Sequence, residues 1–170
     1  DGSPVVAEDI VATWKLNVDE GILEPYSNML YSKFSKPKVI SKYIIETSSK
    51  EENWKLFLYF SSMVILPHHY IAELDGKRYL EKYQFDMPPG TGPYILNKET
   101  MKKGKSLTMV RRTDWWGNKN PNNKHAFNFD EIKVLIIQDD RLTLEKFKKG
   151  ELDLYFVNRA QWWVEEFDLS

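Results

Sequence analysis

Gly90-Thr91-Gly92-Pro93-Tyr94 decides how the rest of the chain is read, together with Arg111-Arg112-Thr113-Asp114-Trp115-Trp116-Gly117 and Lys149-Gly150-Glu151-Leu152-Asp153 further on. Met87-Pro88-Pro89 leads into the first of these segments. Proline fixes φ and glycine frees it, so residues 87–90 read as a stiff crossing between two structural units. The texture changes there, from helix-rich before to strand-rich after.

Downstream, Tyr94 to Asn97 and Leu107 to Arg112 flank the basic turn Lys102-Lys103-Gly104-Lys105, as a hairpin would. Residues 115–124 form a polar loop pinned by Trp115 and Trp116. Ile132 to Ile137 is an apolar strand. Asp139 and Asp140 stand where acids cap a helix, which carries Leu142, Leu144 and Phe147 and ends at Gly150. Leu152 to Val157 reads as a further strand, and Ala160 to Phe167 as a short aromatic helix.

Upstream, Ala7, Ile10, Val11, Trp14 and Val18 share one helical face, with Glu8 and Asp9 in the first turn, where the helix dipole favours acids. Val6 occupies the capping position that Thr or Ser would fill, at a cost of about 1 kcal/mol. Glu24 to Tyr31 is a second short helix or turn. Val39 to Thr47 is rich in β-branched residues and reads as one strand. Glu51 to Ser62 reads as a helix with Trp54, Phe57, Leu58 and Ser61 inward. Ala72 to Tyr83 reads as a polar helix. Helices and strands mix without strict alternation, so the fold class is α+β, or mixed α/β.

At 170 residues the chain can bury one core or two small ones. The 24 basic and 25 acidic residues give a net charge of −1, which offers no field for nucleic acid or anionic lipid. Without cysteine there is neither a disulfide framework nor thiolate chemistry. No apolar run approaches the ~20 residues of a membrane span. The start on Asp1-Gly2-Ser3-Pro4, a turn running straight into a helix with no leader, reads as a cut from something longer.

No catalytic constellation emerges. His68-His69 is the only adjacent histidine pair, and neighbouring side chains on a helix diverge by about 100°, so two of them rarely hold one metal. A loop after Pro67, with one histidine bonded to backbone, is the expectation. Asp139-Asp140 reads as a helix start rather than an acid/base pair. Gly90-Thr91-Gly92-Pro93 lacks the lysine of a phosphate loop and the third glycine of a dinucleotide loop, and Pro93 removes a donor. The expected site has no catalytic residues, no metal and no cofactor.

Taken in order, Asp1-Gly2-Ser3-Pro4-Val5-Val6-Ala7-Glu8-Asp9, Gly90 to Tyr94, Arg112 to Gly117 and Phe147 to Asp153 resemble the family 5 extracellular solute-binding proteins, the receptors of ABC importers for peptides and similar solutes. Asn128 to Ile132, Asp140 to Gly150 and Asn158-Arg159-Ala160-Gln161-Trp162-Trp163 resemble its Yej-type peptide and microcin C subgroup. Val6 stands where the family has Thr, Trp115 where Tyr is common, and Trp162 where a polar residue is usual.

The resemblance implies part of the first lobe of a two-lobed binding protein. Residues 1–88 would be the inserted α+β subdomain, and 89–170 the main sheet subdomain, truncated before the second lobe. It further implies reversible binding of a peptide or peptide-like ligand without chemistry, permease subunits as partners, and a periplasmic or lipid-anchored location. An oligosaccharide ligand or a signalling role is the alternative. By the same resemblance, Tyr26 in Glu24-Pro25-Tyr26 would approach the ligand. Asn158, Arg159 and Trp163 would face the cleft, with the arginine suited to a carboxylate and the indole to stacking. A truncated sheet exposes its edges, so self-association of this chain is expected.

Overall fold

The computed structural model describes residues 1–167; the end of the sequence at Ser170 lies outside the described residues. Two compact units are present. One comprises residues 1–95 and 111–128, and the other residues 96–110 and 129 onward. The mixture of helices and small sheets is the α+β class expected from the sequence.

The first unit is organised around α1 (Ala7–Asn17). Ile10, Trp14 and Val18 lie against a cluster of Leu30, Tyr31, Phe34, Leu56 and Met63. Ala12 and Leu16 face a second cluster with Ile22, Ile71 and Tyr83. The helix therefore packs on two sides, not on the single face that Ile10, Trp14 and Val18 announce. Each large apolar side chain buried this way contributes about 1.5–3 kcal/mol. Trp14 Nε1 donates to the Tyr31 carbonyl at 3.1 Å, which satisfies its one polar atom. Half of a capping box survives at Val6: its N–H reaches Asp9 Oδ2 at 2.7 Å, while the reciprocal side-chain acceptor is missing.

α2 (Pro25–Tyr31) carries Pro25 at its first position, where the absent N–H costs nothing. The segment read as a single strand is a hairpin of β1 (Lys38–Ser41) and β2 (Ile44–Glu46), antiparallel with a bulge between Val39 and Ser41. α3 (Lys55–Ser61) reverses the expected orientation. Leu56 is buried and Phe60 partly so, whereas Trp54 and Phe57 are 73% and 75% exposed. Of the polar helix expected at Ala72 to Tyr83, the part from Gly76 onward forms, as α5 (Gly76–Tyr83), and a short α4 (His68–Ile71) precedes it. Asp75 caps α5 by accepting from Arg78 N at 2.9 Å. Gly76 lies so close to the short 3-10 turn Glu20–Ile22 that an added Cβ would stand 2.1 Å from Ile22 N. Only glycine fits there.

β3 (Tyr94–Lys102) and β4 (Ser106–Arg111) begin or end in the first unit and run mainly through the second. Their turn places Gly104 at φ +68°, with Lys105 N bonded to the Lys102 carbonyl at 2.9 Å. β4 is central, pairing antiparallel with β5 (Glu131–Leu135) from Ser106 opposite Leu135 to Val110 opposite Glu131. α6 (Asp140–Lys148) starts at Asp139, whose Oδ1 accepts from Leu142 N at 2.8 Å. At its end Gly150 takes φ +72°. The Gly150 and Glu151 amides bond back to Phe147 and Lys146, the paired bonds of a Schellman stop. Leu144 is fully buried. Leu152 to Val157 is irregular rather than a strand, and α7 (Ala160–Glu165) follows.

Candidate functional site: an open cleft in the first unit and an aromatic helix in the second

Within the first unit the Gly90–Thr91 loop lines a cleft of about 770 Å³, together with the Asp1–Val5 segment, Ile65–Pro67, His69, Arg112 and Trp116. Its geometry is set by one acceptor. The Thr91 carbonyl receives Trp115 Nε1 at 2.7 Å and Trp116 Nε1 at 3.0 Å. Arg112 N donates to the Pro93 carbonyl at 2.7 Å. The Gly-Thr-Gly-Pro segment is thereby stapled to the Arg-Thr-Asp-Trp-Trp segment about twenty residues later, which explains why the two motifs occur together.

The tryptophans divide their work. Trp115 is buried, with Gly117 against its ring and Phe127 edge-on at 5.1 Å; Trp116 leaves 67% of its surface open. The Arg112 guanidinium is engaged bidentately by Asp114, from Nε to Oδ1 at 3.1 Å and from an Nη to Oδ2 at 3.2 Å. That hydrogen bonding raises the Arg112 pKa above its ordinary value, and the same bond holds Asp114 below the usual carboxylate range. The cleft therefore offers an open indole face and a pre-paired cation.

His69 lines the cleft, and with His68 it opens α4, a helix where a loop was expected. His68 meets a carboxylate: its amide and its Nδ1 each lie 2.7 Å from Asp9 Oδ1. His69 Nε2 lies 2.7 Å from Asp1 Oδ2. Burial pushes the Asp9 carboxyl up, but the His68 and Val6 amides and the His68 ring outweigh it, and the net shift is downward. In the sequence Asp9 is marked only as a first-turn acid. Its partner stands 59 residues away, a separation at which nothing local in the sequence signals a pair.

The expected ligand contacts fall in separate units. Tyr26 is on α2 in the first unit, 62% exposed beside Pro25. Asn158, Arg159 and Trp163 belong to the second, at and around the start of α7. Asn158 is exposed. The Arg159 guanidinium lies 5.0 Å over the Trp162 ring and 3.7 Å from Asp140 Oδ2. Trp163 is half-exposed, its ring 5.4 Å from Phe167. α7 is tied back by Glu166, which accepts from both Arg141 and Lys148. Those two bonds, Lys148 first, hold Glu166 below the ordinary glutamate value of 4.5.

Residues 1–167 match the model for bacterial extracellular solute-binding proteins, family 5 Middle, and the chain belongs to that family. Two relatives come from Agrobacterium fabrum. One, the peptidoglycan-binding protein YepA, is 30% identical over 156 residues, covering 91% of this chain and 24% of YepA. The other, named probable peptide-binding protein YejA, is 28% identical over 172 residues, covering 99% of this chain and 27% of YejA. Among solved structures, the mannohexaose-bound periplasmic oligopeptide-binding protein of an oligopeptide ABC transporter from Thermotoga maritima superposes with a TM-score of 0.68 at 17% identity, over 98% of this chain and 30% of that one. The chain thus spans about a quarter of the length of the relatives it matches. Family and neighbours are binding proteins rather than enzymes. Among the described residues no helix is long and apolar enough to cross a membrane.

Proposed function

We propose that this chain is part of the first lobe of an ABC-importer receptor that captures peptides or peptide-like compounds and does no chemistry on them. The family match across residues 1–167 carries the reading. Residues 1–88 act as the inserted subdomain and 89–170 as the main sheet subdomain. Tyr26, Asn158, Arg159 and Trp163 contact the ligand, and the whole receptor delivers it to permease subunits from the periplasm or from a lipid anchor. The four side chains are exposed, as a contact awaiting its ligand requires. Lobe closure over the solute supplies the mechanism.

A saccharide-bearing ligand is the second reading. It is favoured by the peptidoglycan-binding name of one relative and by the mannohexaose held by the Thermotoga protein. Open indole faces such as Trp116 and Trp163 suit either class. Thermal shift of the full-length receptor against short peptides, oligosaccharides and peptidoglycan fragments decides between them. Stabilisation by peptides alone supports the first reading, and by oligosaccharides alone the second. Stabilisation by none of them overturns both.

A further inference from the structure

We propose that Asp1, Asp9, His68 and His69 form a binding site for one divalent transition-metal ion of the zinc class. The proposal is independent of which solute the receptor carries.

The observation is a convergence of three chain segments. One ligand atom from each of Asp9, His68 and His69 lies within 4.8 Å of the other two. Asp1 joins through its Oδ2, 2.7 Å from His69 Nε2. Three donors at that spread, with Asp1 beside His69 as the fourth, can close to a four-coordinate shell with bonds of about 2.0–2.2 Å after inward movements. Two imidazoles and two carboxylates, with no thiolate, suit zinc and its neighbours in the first transition series better than calcium or magnesium, which take all-oxygen shells.

Adjacent histidines ordinarily point apart, and that is the obstacle to a shared ion. Here α4 starts at His68, and the two rings turn towards one another, with centroids 5.3 Å apart and planes at 79°. Each ring is already oriented by a carboxylate at 2.7 Å. Asp9 is 3% exposed and held from behind by the Val6 amide on Oδ2, so the acid is fixed before any ion arrives. A backbone amide placed in this way orients a metal ligand and raises its affinity. Both histidine side chains keep 38% exposure, which leaves an entry path from solvent. A bound ion would replace the proton shared within each histidine–carboxylate pair and tie residue 1, α1 and α4 together.

The test is calorimetric titration of zinc chloride into the chelator-treated full chain. Saturable binding of one zinc per chain is expected, with a rise in melting temperature. His68→Gln and His69→Gln should each weaken zinc about ten- to a hundredfold, and His125→Gln, outside the cluster, should leave affinity unchanged. The two glutamine variants are chosen because their rings are partly exposed, whereas Asp9→Asn removes a buried cap and could unfold the protein. Absence of one-to-one zinc binding overturns the proposal. So does wild-type affinity in both His68→Gln and His69→Gln, or an equal loss in His125→Gln. Magnesium binding as tightly as zinc overturns the assigned metal class.

Discussion

Thr13 and Leu66, 53 residues apart, exchange two hydrogen bonds: Thr13 Oγ1 accepts from Leu66 N at 2.9 Å and donates to the Leu66 carbonyl at 3.3 Å. Thr13 is 1% exposed, so one hydroxyl substitutes for a strand neighbour and carries the extended segment before Pro67 onto α1. Thr13→Val keeps the shape and strands both backbone groups. It is expected to cost about 1–3 kcal/mol by chemical denaturation, with Thr13→Ser recovering most of the loss.

Gly76→Ala is expected to destabilise by about 1–3 kcal/mol, because the new methyl meets the backbone of Gly21 and Ile22 rather than a movable side chain. Gly90→Ala, with no atom within 4 Å of the added Cβ, is the matched comparison and should change the melting temperature little.

The Tyr83 hydroxyl is buried and has no hydrogen-bond partner among the described residues. Tyr83→Phe removes a desolvated polar group and leaves the ring in its cluster with Leu16, Ile22 and Ile71. Stability should hold or rise by about 1 kcal/mol. A loss of that size in a denaturant melt would contradict the packing described.

The depressed Glu166 carboxyl fixes the sign of an acid effect. Its folded value lies below 4.5, so the ties to Lys148 and Arg141 are complete above that pH. They are lost only as pH falls through the lower folded value. Side-chain NMR titration should place the Glu166 midpoint below 4.5, and Lys148→Ala should move it upward. A midpoint at the ordinary value would show that the contact does not persist in solution.

In the full-length receptor, Tyr26→Ala and Arg159→Ala should each weaken ligand about tenfold, the scale of truncating one good contact, and leave the melting temperature of the free protein unchanged. Both side chains are more than half exposed, so their removal opens no core cavity. An unchanged affinity in both variants would remove these residues from the site.

Where the sequence carried a physical stop or start, it was readable. Asp139, Gly150 and Gly104 are such punctuation, and helix, cap and turn all lie where these residues require them. Other elements had no such marks. Residues 54–60 are apolar or aromatic except for Lys55, so helical period was visible while its phase was not, and the buried face turned out to be Leu56 and Phe60. The β1–β2 turn at Lys42-Tyr43 contains no glycine, proline or asparagine to announce a reversal. Leu152 to Val157 alternates like a strand but lacks a paired neighbour among the described residues, and Leu154 and Phe156 remain 70% and 73% exposed. The histidine–carboxylate cluster depended on contacts across more than fifty residues, which no local pattern encodes.

The two indoles that share the Thr91 carbonyl have ring centroids 5.6 Å apart and planes inclined at 58°. At that spacing their excited states exchange energy, so the pair works as an intrinsic optical label. Any event that draws the Gly90–Gly92 loop off its anchor frees both N–H groups at once and alters emission from a buried and an open fluorophore together. Displacement of this loop can thus be followed in solution without attaching a dye.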